Sequence, residues 1–146
     1  MQITTELAIP GLAEELWAVL VDLPSYPRWN PFIRKVDGEL AEGAAWQTEL
    51  TVDGQVFFRV PTVITELVLG TRLTWRGGLP NLMTGTHSFG VTEASGVVTL
   101  VQSERFSGAL VPIIFPLLKP ALTRRFVEMN EALMFEVVRR RVLAQV

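Results

Sequence analysis

The amino-acid sequence predicts an α+β fold, in which a curved antiparallel sheet of about seven strands wraps around a long C-terminal helix. Three observations predict it: a first strand leads into a short amphipathic helix, turn signals divide the middle of the chain, and a long apolar helical stripe ends it. A sheet of this size has one face that needs cover, and the terminal helix is the only element long enough to supply it. Curvature leaves a gap between sheet and helix, which is a candidate cavity.

A strand and a short helix open the chain. The segment from Ile3 to Ile9 predicts the strand, and the segment from Leu12 to Val21 predicts the helix. The apolar residues of this helix recur at helical spacing: Ala13, Leu16, Trp17 and Leu20. We expect one or two short helices in all after the first strand.

Three prolines stiffen the link after the first helix. Pro24, Pro27 and Pro31 lack an amide donor, and each disfavours helical geometry in the residue before it. Trp29 and Asn30 on this link either gate a pocket at the end of the sheet or brace the turn. We prefer the bracing role, because asparagine side chains often bond turn backbone.

About six further strands follow between Phe32 and Phe106, joined mainly as consecutive hairpins. Paired turn residues separate them: Asp37-Gly38, Glu42-Gly43, Asp53-Gly54, Leu69-Gly70, Gly77-Gly78 and Ser95-Gly96. The last hairpin keeps its apolar residues on one face if a four-residue turn pairs His87 with Gln102. His87 then lies diagonal to Glu104, so that a basic and an acidic side chain meet on the inner face.

The conformation of the Val52-Asp53-Gly54 turn determines which side chains of the two strands that it joins lie on the inner face. We predict a three-residue loop with a left-handed Gly54 and a bulge, because it places Trp46 and Leu50 on the same face as Phe58. With a turn at residues 68–71, Leu73 and Trp75 of the next strand join this inner face. Thr62 and Glu66, which precede the turn, lie on it as well.

The terminal helix is predicted from about Pro120. Its apolar stripe is spaced by threes and fours: Leu122, Phe126, Met129, Leu133 and Val137. The apolar segment from Leu110 to Leu118 before it is either an entrance lid or dimer contact, or simply the packed start of the helix. The arginines from Arg139 to Arg141 suit the negative end of the helix dipole, and a basic membrane-binding face is the less favoured interpretation.

Composition excludes several classes of function. The chain has no cysteine and one histidine, so we expect no disulfide, no thiolate nucleophile and no metal site. A net charge of −2 without a basic stripe disfavours nucleic acid as a partner. No apolar run is long enough for a membrane span and no signal peptide is readable, so we expect a cytoplasmic protein. The hydrophobic fraction of 49% suits an interior with extra apolar lining.

Taken together, the chain resembles the START-like, or SRPBCC, superfamily in its polyketide cyclase/dehydrase-like branch. The resemblance runs over nearly the whole chain, and these segments carry it: Trp17 to Asp22, Tyr26, Trp29 to Phe32, Leu73 to Gly77, Gly85 to Phe89, Gln102 to Gly108 and Phe126 to Leu133. The resemblance implies a single domain over residues 1–146 with a helix-grip fold, whose sheet and C-terminal helix enclose a deep apolar pocket. Relatives include lipid and hormone carriers and aromatase/cyclases, so the fold alone does not define the chemistry.

The predicted ligand-binding residues combine the inner faces of the strands with the helix stripe: Phe58, Trp75, His87, Phe89, Gln102, Glu104, Phe106, Phe126, Met129 and Asn130. The preferred function is binding of a small hydrophobic molecule, a lipid, polyketide or aromatic compound, without a cofactor. His87, Gln102, Glu104 and Glu66 would orient it.

Two other functions remain open. One is a metal-free cyclase, aromatase or dehydratase in which Glu104 orients His87 as the general base. The other is an interaction module that responds to a ligand through the Leu110 to Leu118 segment. In a homodimer, this segment would contact a second copy of the chain.

Overall fold

Seven strands and one long helix make up most of the fold. The structure, a computed structural model, describes residues 1–52 and 55–146, without the side chains of residues 52 and 55–57. The elements in chain order are β1 (Gln2–Pro10), α1 (Ala13–Leu20), a 3₁₀ turn (Leu23–Ser25), α2 (Tyr26–Trp29), β2 (Ile33–Asp37), β3 (Ala45–Val52), β4 (Gln55–Val68), β5 (Arg72–Leu79), β6 (Met83–Ala94), β7 (Val97–Ser107) and α3 (Val111–Leu143).

The strands form one antiparallel sheet in the order β1-β7-β6-β5-β4-β3-β2. Consecutive hairpins run from β2 to β7, and β1 pairs with β7 at the other side of the sheet. The sheet curls around α3, which packs on β1, β7 and α1. The predicted sheet and its covering helix are therefore confirmed as a helix-grip fold.

The core lies between the concave face of the sheet and α3. On β7 the buried side chains follow the predicted alternation, with Val98, Leu100 and Gln102 completely buried. The predicted helix stripe is confirmed, since its members are buried and Leu122 is half-buried at its start: Phe126, Met129, Leu133 and Val137. Within the described residues, no helix has both the length and the apolar character needed to cross a bilayer.

The β6–β7 hairpin keeps the predicted faces but not the predicted pairing. His87 lies directly opposite Glu104, and Gln102 lies opposite Phe89, so the pairing of His87 with Gln102 is wrong by two residues. The turn has two residues rather than four, because Ser95 (φ 52°) and Gly96 (φ 74°) both adopt left-handed geometry. Turns of this kind match the right-handed twist of the two strands.

Bulges decide the faces of β4. Leu50 lies opposite Phe58 and Trp46 opposite Thr62, so the predicted common face of β3 and β4 is confirmed, although the turn at Asp53-Gly54 lies outside the described residues. A second bulge between residues 64 and 66 was not predicted. It places Glu66 opposite Thr74 on the outer face, so the prediction that Glu66 orients a ligand is wrong.

α3 begins at Val111 and includes the segment from Leu110 to Leu118 almost entirely, so the predicted start near Pro120 is wrong. Pro112 occupies the first turn, where a proline costs no hydrogen bond. Pro116 and Pro120 lie four and eight residues further along on the same exposed side. Water can therefore bond the carbonyl groups that these prolines leave without an amide partner.

Ion pairs attach the C-terminal end of α3 to α1 and the link that follows it. Arg140 contacts both Glu136 and Asp22, at 2.8 and 2.7 Å. Arg141 contacts Glu15 of α1 at 2.7 Å. The three arginines are thus engaged within the molecule, since Arg139 also pairs with Glu136 at 2.7 Å, and the membrane-binding interpretation of this run is not favoured.

Candidate functional site

His87 is the centre of the site, because it is a titratable side chain buried in the middle of the concave face. It is 3% exposed. Its Nδ1 lies 3.1 Å from Glu104 Oε2, and its Nε2 lies 3.1 Å from the amide nitrogen of Gln102. An amide nitrogen can only donate, so Nε2 of His87 accepts and Nδ1 carries the proton that it donates to Glu104. Glu104 therefore orients a neutral imidazole.

The hydrogen bonds continue from Gln102 to the helix. Thr5 donates to Gln102 Oε1 over 3.4 Å, and Asn130 Nδ2 donates to Thr5 Oγ1 over 3.0 Å. We call the five residues His87, Glu104, Gln102, Thr5 and Asn130 the polar relay. It joins β6, β7, β1 and α3 through the core. Among the described residues, Asn130 Oδ1 finds no hydrogen-bond partner although it is buried.

Aromatic side chains enclose the imidazole on three sides. The Trp75 ring stacks on it, with ring centres 5.0 Å apart and planes 10° apart. Phe89 lies 4.7 Å away, and Phe126 of α3 presents its edge at 5.1 Å. The space next to the His87 ring is thus filled by aromatic side chains.

A glycine makes room for the carboxylate of Glu104. Gly85 lies on β6, two residues from His87, and a Cβ atom there would collide with Glu104 Oε1. The carboxylate therefore lies over Gly85, where no side chain blocks it. Gly85 was not among the predicted site residues, although it lies on the same face as His87.

The concave face is covered at one end and open at the other. Phe89 and Val91 are fully covered near α1. At the opposite end Phe58 is 54% exposed and Leu79 is 63% exposed, although both lie on the inner face. Val60 and Met83 beside them are only half-buried. We call this side, lined by Phe58, Val60, Leu79 and Met83, the open end.

Most of the predicted site residues come together in one buried cluster: Trp75, His87, Phe89, Gln102, Phe106, Phe126, Met129 and Asn130. Gln102 also donates to the sulfur of Met129 at 3.4 Å, and Phe106 packs on Phe115 of α3. The Glu104 side chain is 17% exposed, and Phe58 lies apart at the open end. Thr5 was missed, although its place between Ile3 and Leu7 makes it a polar residue on an apolar face.

Trp29 and Asn30 make bonds that favour the bracing role. Asn30 Oδ1 accepts from the backbone amides of Phe32 and Ile33 at 2.9 and 2.8 Å. Trp29 Nε1 donates to Ser25 Oγ at 3.0 Å. These contacts hold the link against the start of β2 rather than free it to move.

A surface groove of about 380 Å³ lies between this link and β2. Its walls include Leu23, Pro27 and Val36, with charged side chains at its rim. It is separate from the polar relay and was not predicted. No group of three or more potential metal ligands occurs among residues 1–52 and 55–146.

Residues 1–138 match the family described as polyketide cyclase/dehydrase and lipid transport. No curated protein matches the sequence significantly.

Solved structures share the fold at low sequence identity. A START superfamily protein from Mycobacterium smegmatis is 16% identical, with a TM-score of 0.76 over 94% of this chain and 97% of that one. The Zhui aromatase/cyclase from a Streptomyces species is 16% identical, with a TM-score of 0.78 over 96% of this chain and 94% of that one. Norcoclaurine synthase from Thalictrum flavum is 15% identical, with a TM-score of 0.70 over 94% of this chain and 86% of that one. These similarities concern the fold, since proteins with different activities share it.

Proposed function

The chain belongs to the polyketide cyclase/dehydrase and lipid transport family, and on that premise we propose that it binds a small, largely apolar molecule between the concave face of the sheet and α3. The open end carries this proposal. Phe58 and Leu79 are large apolar side chains that face inward and are still more than half exposed. A bound apolar molecule would remove their surface from water, which is worth about 25 cal/mol per Å² before ordering costs.

Close packing around His87 directs the ligand to the open end. α3 begins beside this end, where Leu110 N donates to Leu82 O, and in its N-terminal half only Val111 and Phe115 are buried before Phe126. Pro116 and Pro120 weaken the same half of the helix, because each removes a backbone hydrogen bond. A small movement of this half would admit a molecule without disturbing the core around Phe126.

Glu104 supplies the polar contact for the ligand. Its Oε2 accepts from His87, and its side chain remains partly accessible beside Gly85. A carboxylate accepts more than one hydrogen bond, so a ligand hydroxyl can donate to it. The site therefore fits an apolar molecule with one hydroxyl group, such as a phenol or a long-chain alcohol.

Calorimetric titration with 2-naphthol and 2-methoxynaphthalene tests this proposal. We expect 2-naphthol to bind more tightly, and Glu104→Gln to remove most of that difference, because the ether cannot donate a hydrogen bond. Met83→Ala should weaken both probes about fivefold, because Met83 is the residue of the open end that lies two positions from Gly85 and the Glu104 carboxylate. Phe135→Ala is the matched control, since Phe135 is 68% exposed on α3 away from the inner face.

Two results would contradict the proposal. One is equal loss of affinity in the Met83 and Phe135 variants. The other is the absence of binding to either probe together with native mass spectra that show no co-purified small molecule.

General-base catalysis on a ketone is the second candidate, and the tautomer of His87 favours it. With its proton on Nδ1 and Glu104 behind it, the imidazole presents a basic Nε2 to the interior. Gln102 occupies that nitrogen at 3.1 Å, and three aromatic rings enclose the imidazole. A substrate would have to displace Gln102 first, which is why binding is the preferred function.

Deuterium exchange at the α-carbon of α-tetralone separates the two candidates. A base removes the α-proton and solvent D₂O returns a deuteron, so nuclear magnetic resonance reports the base directly. A catalyst should accelerate exchange, and His87→Asn should abolish it while α-tetralone still binds. A binding protein should give no acceleration, and the same variant should at most weaken affinity.

A further inference from the structure

Five exposed apolar side chains form one surface at the tip of the molecule. They come from the β5–β6 turn and the start of α3: Leu79 (63% exposed), Leu82 (47%), Leu110 (39%), Ile113 (70%) and Leu117 (79%). Two backbone bonds join the segments, from Ala109 N to Asn81 O and from Leu110 N to Leu82 O, both 3.0 Å long. We call these five side chains the apolar tip.

The helical part of the tip is a regular stripe. Leu110, Ile113 and Leu117 recur at the three- and four-residue spacing that puts side chains on one side of a helix. Scattered surface leucines are common in soluble proteins, but a contiguous group on two hydrogen-bonded segments indicates a surface that binds something.

Charge indicates what the apolar tip binds. Residues 77–92 and 105–127, which include the tip, contain no aspartate or glutamate, whereas the whole chain has a net charge of −2. Four cations lie in these two segments: Arg105, Lys119, Arg124 and Arg125. Arg124 and Arg125 pair with Glu128, while Arg105 and Lys119 are exposed.

An apolar surface on segments that carry cations and no acidic residue fits an anionic lipid surface. Apolar side chains enter the boundary between headgroups and acyl chains, and lysine and arginine attract the anionic headgroups. A second copy of the chain would bring the same cations together, which opposes pairing through this tip.

We propose that the apolar tip docks the protein on the surface of an anionic lipid bilayer. Ile113 and Leu117 enter the interface, and the cations of the two segments attract the anionic headgroups. Leu79 belongs to both the tip and the open end, so docking brings the open end to the membrane. The proposal does not depend on the bound molecule, because docking uses surface side chains alone.

Vesicle co-sedimentation with the full chain tests the inference. Vesicles of phosphatidylcholine containing about a quarter phosphatidylglycerol should bind the protein at low salt, and phosphatidylcholine alone should bind it far more weakly. The double substitution Ile113→Ser with Leu117→Ser should lower the affinity at least about tenfold, because two buried side chains are lost. Phe135→Ser, at an equally exposed position of α3, should leave it unchanged.

Three outcomes would overturn the inference: no binding to the anionic vesicles, equal losses in the tip and Phe135 variants, or a dimer in solution that the tip variant dissociates. Circular dichroism confirms that each variant is folded. Titration with 2-naphthol separates docking from ligand binding, since the tip variant should keep its affinity for this probe.

Discussion

A buried histidine constrains every residue around it. The imidazole of His87 has one donor and one acceptor nitrogen when neutral, and both are satisfied inside the core, by Glu104 and Gln102. Gln102 in turn needs a donor for its carbonyl oxygen, which Thr5 supplies. A change at one member therefore leaves a buried polar atom unpaired at the next, which costs about 1–3 kcal/mol.

The substitution Gly85→Ala tests this dependence, because it alters no polar side chain. The added methyl group of Gly85→Ala would occupy the space of the Glu104 carboxylate and displace it from His87. We expect the free energy of unfolding to fall by about 2 kcal/mol, measured by urea denaturation.

Gly90→Ala is the matched control on the same strand. Its added Cβ would meet only the carbonyl oxygen of Val101, at an ordinary contact distance of 3.9 Å. The control should change stability by less than about 0.5 kcal/mol. Equal losses in the two variants would show that the cost comes from the strand backbone and not from Glu104.

The face of the sheet on which a strand residue lies was predictable where side chains alternate regularly between the two faces. His87, Gln102 and Glu104 were placed on the inner face because apolar neighbours of the same parity surround them. Gly85 and Thr5 were missed as site residues, because their roles depend on contacts with strands distant in sequence. No local sequence pattern indicates that a glycine on β6 makes room for a carboxylate on β7.

Among the elements, α3 is attached most firmly at its C-terminal end. Hydrogen bonds from Arg139 and Arg140 hold the pKa of the buried Glu136 at about 2, below its ordinary value of 4.5. Arg141 likewise lowers the pKa of Glu15 on α1. These bonds connect the last turns of α3 to the start of the molecule.

Acid should therefore weaken the attachment of the C-terminal end of α3 over a defined pH range. Because the pKa of Glu136 is depressed in the folded state, its contribution is complete above about pH 4.5 and is lost as the pH falls towards 2. We expect Glu136→Gln to lower the free energy of unfolding by about 3 kcal/mol at neutral pH and to flatten its pH dependence in this range. Chemical denaturation at several pH values measures both effects.

Glu131→Gln is the control, because Glu131 is an exposed carboxylate on the same helix. It should leave both the stability and its pH profile nearly unchanged. An unaltered acid profile in the Glu136 variant would show that the arginines contribute nothing measurable.

At the scale of the whole molecule, stability is distributed unevenly along α3. Its C-terminal half holds most of its buried side chains and the ion pairs with α1, whereas its N-terminal half carries Pro116 and Pro120 and begins beside the open end. Hydrogen exchange should therefore be faster for amides 113–125 than for amides 126–143.

Replacing both helical prolines tests the cause of this difference. Pro116→Ala with Pro120→Ala restores two amide donors, so exchange in residues 113–125 should slow at least about tenfold. Pro24→Ala, outside α3, should have no effect there. If the double variant exchanges as fast as the original chain, the prolines are not the source of the weakness.

The sequence by itself determined the strand meander, the inner faces of β6 and β7 and the buried stripe of α3. These follow from periodicity, because alternation and helical spacing are properties of neighbouring residues. The superfamily came from the resemblance of whole segments to a known family. Only the tertiary structure decided the β6–β7 register, the bulge that turns Glu66 outward, the early start of α3 and the filled space around His87. Turn dihedrals, hydrogen bonds between distant strands and the packing of side chains across a gap depend on contacts that local sequence does not specify.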